Sequence, residues 1–141
     1  GVKFFTEKQV DGITCGSGVM GELTGAMAAD DFIMMLKREF DVECVQCNQL
    51  LRRPIRTVAI CGGAGSFLLP EAIAAGADAF VTGEMHYHDY FAHEQEIQIA
   101  VIGHYQSEQY TYEIFKSIIE EQCEGVRCVV TSQNTNPIIY L

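Results

Sequence analysis

The apolar residues in the second half of the chain form short continuous runs, three of which lead into glycine-containing turns. The runs occupy residues 56–61, 77–81, 97–102 and 127–131. A run that is apolar throughout, without polar residues at alternate positions, is typical of a strand covered on both faces. The runs therefore predict a largely parallel sheet, with residues 138–141 as an additional edge strand after Pro137.

Other segments have the periodicity of helices. Residues 29–40 have apolar side chains at helical spacing, namely Phe32, Ile33, Leu36 and Phe40. Asp30 or Asp31 could cap this helix. Further helices are expected at residues 66–75 (capped by Ser66), 85–96 and 106–123, a strand at 42–49, and an irregular strand or hairpin at 11–25. Because strands alternate with helices, the sequence predicts a three-layer α/β/α fold with a mostly parallel or mixed sheet.

The length of 141 residues is that of one domain, in which residues 1–11 are expected to be a linker or a cut end. The first residue is glycine, which favours a piece of a longer protein. Nine basic residues against nineteen acidic ones give a formal charge of -10, which disfavours binding to nucleic acid or to anionic membranes. No run is long enough to cross a bilayer and no signal peptide is recognised, so a cytoplasmic location is expected.

The six cysteines are scattered, and several lie in apolar, strand-like runs. Without a secretory signal they are expected to be reduced, buried and inert. Cys44 and Cys47 form a C-x-x-C pair, but no second pair follows at zinc-ribbon spacing. In an extended strand, residues three apart point to opposite faces, which also argues against a structural zinc ion at this pair.

The strongest candidate for chemistry is the segment V-I-G-H-Y-Q-S-E, which ends at Glu108. An apolar run ends at Gly103, and His104 and Glu108 follow at a spacing of four. Residues four apart lie on one helical face, so the imidazole and the carboxylate would project together. Such a pair suits a divalent transition metal, namely zinc, iron or manganese. Because two ligands do not complete a site, the sequence predicts one half of a metal centre.

Two other strand ends carry candidate groups. The turn after residues 56–61 could contact an anionic substrate through its amide groups or simply be a tight turn, and its candidate residues are Gly62, Gly63, Gly65 and Ser66. After the next strand, His88 is interpreted as a ligand, a partner of a ligand or an acid–base group beside His104, with a solvated surface residue as the equal alternative. Tyr105, Tyr110 and Tyr112 are expected in the core.

Three motifs resemble those of a known family. They are V-A-I-C-G-G-A-G-S, A-G-A-D-A-F-V-T-G-E-M-H-Y-H-D and G-H-Y-Q-S-E. Their order and separations resemble the C-terminal half of the GTP cyclohydrolase type 2 homologues, also called the NGG-interacting factor three-like family. The segment G-V-M-G-E-L at residues 18–23 is also similar to the family, so the resemblance covers about residues 12–141.

The resemblance implies two similar three-layer domains with a two-metal site in the cleft between them. It assigns His104 and Glu108 as metal ligands and places His88 close to the metals. The remaining ligands, a histidine pair and an aspartate, would come from the N-terminal half of the same parent chain, and no adjacent histidine pair occurs in these 141 residues. The family also forms ring-like hexamers, which implies a homo-oligomer.

The function expected from these features is to contribute half of a di-metal, hydrolase-like site. The parent protein would be a metal-dependent, cyclohydrolase-like enzyme acting on a nucleotide or a phosphorylated small molecule. This chain alone is expected to be inactive because it lacks the other ligands. The alternative is a non-catalytic assembly or partner-binding domain of a homo-oligomeric protein.

Overall fold

Eight strands and four helices form the part of the chain that a computed structural model describes, which is residues 1–5 and 7–140. The strands are β1 (Lys3–Phe4), β2 (Lys8–Val10), β3 (Ile13–Cys15), β4 (Val19–Met27), β5 (Gln46–Cys47), β6 (Ile55–Cys61), β7 (Ala79–Thr82) and β8 (Gln98–Val101). The helices are α1 (Ala29–Glu39), α2 (Leu69–Ala74), α3 (His104–Glu108) and α4 (Thr111–Gln122), with 3-10 turns at Gly65–Leu68 and Tyr87–Tyr90. None of the helices in these ranges has the length and apolar character needed to cross a bilayer.

The central sheet is mixed, with the strand order β1-β4-β6-β7-β8-β5. β6, β7 and β8 run parallel, whereas β1, β4 and β5 pair antiparallel with their neighbours. Three of the apolar runs supply β6, β7 and β8, which confirms their prediction as buried parallel strands. Residues 1–11, expected as a linker or a cut end, contain β1 at the edge of this sheet and β2, which forms a hairpin with β3.

Apolar side chains pack on both faces of the sheet. The core between α1 and the sheet contains Phe32, Leu36, Ile55, Val58, Val81 and Ala100. The core between α2 and the sheet contains Leu68, Leu69, Ala72, Phe80, Ile99 and Val101. Because successive strand residues point to opposite faces, β7 contributes Phe80 to one core and Val81 to the other. The predicted three-layer α/β/α fold is confirmed.

A partly buried group of hydrogen bonds joins the amino ends of β6 and β7. The Asp78 carboxylate accepts from the backbone N–H groups of Arg56 and Thr57 at 2.9 and 2.8 Å, and it forms an ion pair with the Arg53 guanidinium. Partial burial opposes ionisation, but these three donors outweigh it and hold the pKa of Asp78 below its ordinary value. The charged carboxylate therefore stabilises the register of the two strands.

Only Gln46–Cys47 of the strand predicted over residues 42–49 is formed. The side chain of Asn48 takes the place of further strand pairing. Its Oδ1 accepts from the Ile99 N–H and its Nδ2 donates to the Ile97 carbonyl, both at 2.9 Å. Because this amide satisfies the backbone of β8 as a neighbouring strand would, the pairing of β5 stops at two residues.

The helix predicted over residues 85–96 is wrong, since only Tyr87–Tyr90 forms a single 3-10 turn. Ala92 and Gln95 have φ values of 64° and 62°, which a right-handed helix cannot accommodate. The Gln95 side chain fixes this path by donating to the Leu50 carbonyl and accepting from the Arg52 N–H, both at 2.9 Å. Tertiary hydrogen bonds therefore override the local helical pattern.

The C-terminal region departs furthest from the prediction. The helix expected over residues 106–123 is two helices, α3 and α4, and Gln109 at the break donates to the Phe40 carbonyl at 2.8 Å. No strand forms at residues 127–131 or 138–140, and Leu141 lies outside the described residues. β5 already occupies the outer edge of β8, so that edge offers these segments no place to pair. Tyr110 and Tyr112, expected in the core, are exposed.

Three local predictions are also wrong. Asp30 and Asp31 do not cap α1, whose N-cap is Ala28 without a side-chain hydrogen bond. Ser66 lies inside the first 3-10 turn and makes no capping bond either. None of the six cysteines is buried: all are free, and Cys44, Cys47 and Cys123 are exposed while the others are half-buried. Cys61, at the end of β6, packs against the edge of the core between α2 and the sheet, and the other five cysteines belong to neither core.

Candidate metal centre

The carboxyl ends of β6, β7 and β8 lie side by side at one edge of the sheet, where Cys61 pairs with Thr82 and Thr82 pairs with Val101. The turns that follow are in direct contact. A Cβ added at Gly83 would lie 2.7 Å from both the Gly63 carbonyl and the Ser107 hydroxyl. Only glycine permits this approach, and through it the turns after β6 and β7 meet each other and α3 at this edge of the sheet.

α3 begins directly after the third of these turns. Gly103 has a φ of 97°, a conformation that favours glycine, and it turns the chain from β8 into α3. Ser107 then anchors the helix on the β6 turn. Its hydroxyl accepts from the Gly63 N–H and donates to the His104 carbonyl, both at 2.8 Å. The position of α3 is therefore fixed by contacts from two different strand ends.

His104 and Glu108 lie one turn apart on the same face of α3, as the spacing predicts. His104 Nε2 is 3.3 Å from Glu108 Oε2, and both side chains are about half-exposed. Both also line the groove that runs along α4. The two groups therefore face the same side of α3, and the side chains of the described residues leave both accessible.

Glu84 is a third member of the site that the sequence analysis did not assign. Its Oε1 is 2.8 Å from His104 Nδ1. Hydrogen bonding to Glu84 raises the pKa of His104 above its ordinary value, and although partial burial acts in the opposite direction, the charges of Glu108 and Glu84 add to the rise. The T-G-E sequence at the end of β7 marked this residue, but its partner lies twenty positions further along the chain. Only the adjacency of β7 and β8 brings the two together.

Gly63 makes room for the Glu108 carboxylate. A Cβ at this position would lie 2.5 Å from Glu108 Oε1 and 3.4 Å from His104 Nε2. Gly63 also has a φ of 59°, so any other L residue would be strained there as well. Gly63 thus faces the side chains of His104 and Glu108, the two predicted metal ligands.

The donor set fits one side of a divalent metal site. Two ligand atoms about 2.1 Å from one tetrahedral ion lie about 3.4 Å apart, and the His104 Nε2 to Glu108 Oε2 distance is close to this value. A carboxylate at the other imidazole nitrogen is the usual arrangement of a metal-bound histidine. Within residues 1–5 and 7–140, no three or more His, Cys, Asp or Glu side chains are grouped to hold an ion. The residues present therefore fit a half-site.

His88 does not line the cleft beside His104. That cleft has a volume of about 510 Å³, and its polar lining includes Gln46, Ser66, Glu84, His86 and Tyr140. His88 instead lines a separate cleft with Phe67 and Pro70, and its ring contacts Tyr87 edge-on at 5.4 Å between centroids. The acid–base role of His88 stays a prediction.

In the turn that follows β6, most of the residues predicted to contact an anion make packing contacts or hydrogen bonds within the fold. The Gly63 N–H is bonded to Ser107, Gly62 packs on Ser107, and Gly65 packs on the Cys61 side chain. Ser66 does line the cleft beside His104. Neither Lys nor Arg is among the described residues that line it. The contact with an anionic substrate stays a prediction, with the tight turn as the role that these contacts favour.

The fold and the site define a class of protein: a three-layer α/β domain that presents a histidine and a carboxylate at the carboxyl ends of its parallel strands. The family described as Duf34/NIF3 (NGG1p interacting factor 3) matches residues 2–137, and the chain belongs to this family. The resemblance seen in the three motifs is confirmed.

A relative from Staphylococcus epidermidis, named GTP cyclohydrolase 1 type 2 homolog, is 33% identical over 130 residues, which are 89% of this chain and 35% of the relative. The crystal structure of a Bacillus cereus protein related to NIF3 matches with a TM-score of 0.76 and 28% identity, covering 92% of this chain and 37% of that one. A Staphylococcus aureus protein matches with a TM-score of 0.81 and 27% identity, over 92% and 39%. This chain thus spans little more than a third of each of these relatives.

Proposed function

We propose that this chain contributes one half of a divalent-metal, hydrolase-like centre, with His104 Nε2 and the Glu108 carboxylate as ligands. The observation that carries the proposal is the 3.3 Å approach of these two atoms on an open face of α3. Zinc, iron and manganese all accept this donor pair. The family resemblance implies that the complete site holds two ions, one of them bound by this pair.

The remaining ligands would come from another part of the longer parent chain, its N-terminal half. The family relative from Staphylococcus epidermidis is almost three times as long as the segment it shares with this chain, which leaves ample length for such ligands. A bound divalent ion would polarise a carbonyl or phosphoryl oxygen of a nucleotide or phosphorylated small molecule and acidify a water. The residues of this chain would hold and orient the two ligand side chains. Ser107 fixes the position of α3, which carries both ligands, and Gly63 leaves space for the Glu108 carboxylate.

Metal titration of the purified chain tests the half-site. Calorimetry with Zn²⁺, Mn²⁺ and Fe²⁺ is expected to show weak binding by the wild-type chain, because two protein ligands hold an ion less firmly than a full set. His104→Ala and Glu108→Ala should each abolish this binding. His93→Ala is the matched control, since His93 Nδ1 contacts Glu96 at 2.7 Å in a histidine–carboxylate pair outside the site. Equal binding by His104→Ala and wild type would contradict the proposal.

A turnover assay tests the expectation that this half alone is inactive. With each metal and a panel of nucleotides, the chain should show no hydrolysis above background. Turnover that disappears in His104→Ala would mean that the half-site is sufficient on its own, which contradicts the need for ligands from the rest of the parent protein.

The second candidate function is assembly or partner binding within a homo-oligomeric protein. The exposed apolar side chains of α4 favour it, namely Tyr112, Ile114, Phe115, Ile118 and Ile119. The longer parent protein and its Glu108→Ala form distinguish the two functions by metal content and sedimentation. Loss of metal with the assembly intact supports the hydrolase-like site, whereas loss of the assembly supports a structural role for the Glu108 site instead.

A further inference from the structure

Glu84 and Glu108 approach opposite nitrogens of the His104 ring. Glu84 Oε1 lies 2.8 Å from Nδ1, and Glu108 Oε2 lies 3.3 Å from Nε2. A neutral imidazole carries one proton, so one nitrogen donates and the other presents a lone pair. Because an ionised carboxylate only accepts, the shorter contact at Glu84 favours the proton on Nδ1.

The position of Glu84 is set by backbone packing. Glu84 follows Gly83, and Gly83 lies against the Gly63 carbonyl and the Ser107 hydroxyl with no room for a side chain. The end of β7 is thereby held against the helix that carries His104, although the Glu84 side chain itself is 58% exposed. Replacing this side chain should therefore leave the fold intact while it changes the partner of Nδ1.

We propose that Glu84 is a positioning residue that holds His104 in the Nδ1–H tautomer, with the Nε2 lone pair directed to the side of Glu108. The tautomer assignment stands on the two distances alone. Its consequence for metal capture rests on the proposed function, because only the lone pair of Nε2 can bind an ion beside the Glu108 carboxylate. Partners of this kind are worth about 10- to 100-fold in metal affinity.

Nitrogen NMR of the metal-free chain tests the tautomer directly. At a pH where His104 is neutral, the wild-type chain should show a protonated Nδ1 and an unprotonated Nε2. Glu84→Ala should shift His104 toward the Nε2–H tautomer, which free histidine prefers, and Glu84→Asp should restore part of the wild-type signal. A wild-type ring protonated on Nε2, or an unchanged ring in Glu84→Ala, would overturn the proposal.

Zn²⁺ titration of the same variants tests the consequence. Glu84→Ala should bind about 10- to 100-fold more weakly than wild type. Glu96→Ala is the control, because it removes an equal charge and an equivalent histidine contact, at 2.7 Å from His93, away from the site. If Glu84→Ala and Glu96→Ala lost the same amount of Zn²⁺ affinity, Glu84 would act only through its charge, and the proposal that it positions His104 would be overturned. A chain with the Nδ1–H tautomer that takes up no metal supports the tautomer assignment and overturns the proposed half-site instead.

Discussion

The sheet and the C-terminal region of this chain both contain apolar segments, but the two regions bury these segments to different degrees. Every residue of β7 and β8 is buried. By contrast, α4 has no buried residue, and the chain that follows it leaves several large apolar side chains exposed, namely Val126, Val129, Val130, Ile138, Ile139 and Tyr140. α3 lies at the boundary, where the last parallel strand passes into the exposed region.

This difference shows that a local apolar pattern needs a partner surface to become buried structure. β7 has a parallel neighbour on each side and a helical layer on each face. The segment at 127–131 has an equally suitable composition for a strand, but the edge of β8 is closed by β5 and the Asn48 side chain. The apolar surface left over is the feature that a partner or a second copy would cover.

The largest expected effect is in the sheet. Phe80 is 0% exposed, and Phe80→Ala should lower the free energy of unfolding by about 3–5 kcal/mol, because it deletes a ring from a packed core. Urea denaturation followed by circular dichroism measures the loss. A loss below about 1 kcal/mol would mean that the core between α2 and the sheet is far looser than the packing indicates.

A smaller loss is expected at the amino edge of the same sheet. Asp78→Asn should cost about 2 kcal/mol at neutral pH, since the charged carboxylate accepts two backbone N–H bonds and pairs with Arg53. The matched control is Glu22→Gln, whose pair with Arg56 is exposed on both sides and should contribute about 1 kcal/mol or less. Urea denaturation at neutral pH compares the two, and equal losses would contradict the role of burial at Asp78.

The pH dependence of this contribution has a defined sign. The pKa of Asp78 is lower in the folded chain than its ordinary value. The stabilisation is therefore fully present above the unfolded pKa, about 3.9, and is lost as the pH falls through the folded value. The difference between wild type and Asp78→Asn should accordingly be constant near neutrality and shrink below about pH 4. A difference that grows on acidification would contradict the assigned hydrogen bonds.

In the turn that packs against α3, Gly63→Ala should distinguish the cost of backbone strain from the effect of displacing the Glu108 carboxylate. Gly63 and Gly76 both have positive φ, so alanine at either should cost about 1 kcal/mol of stability. A Cβ at Gly76 meets nothing within 4 Å, whereas one at Gly63 would displace the Glu108 carboxylate. Gly63→Ala should therefore also weaken Zn²⁺ binding in calorimetry, and Gly76→Ala should not. Undiminished binding by Gly63→Ala would contradict the placement of Glu108.

Sequence patterns predicted what short-range periodicity determines. The three parallel strands and α1 were predictable because burial on both faces of a strand, or along one stripe of a helix, requires a regular pattern of apolar residues in the sequence. The spacing of His104 and Glu108 likewise required only one helical turn. Long-range partners were not predictable: Glu84 approaches His104 from the end of another strand, and Asn48 replaces strand pairing through its side chain. The failed strand at 127–131 has the same cause, since the availability of a sheet edge is a property of the whole fold.

The smallest effect is expected in α4, at a residue of the same type as Phe80. Phe115 is 60% exposed, so Phe115→Ala should change the free energy of unfolding by about 0.5 kcal/mol or less in dilute solution. Unfolding midpoints measured at two protein concentrations a hundredfold apart provide the control, because association stabilises the folded state by mass action. A loss comparable to that of Phe80→Ala that appears only at the higher concentration would mean that a second copy covers α4. A large loss at both concentrations would mean that α4 packs against its own chain more closely than its exposure indicates, and the contrast between the two regions would then be wrong.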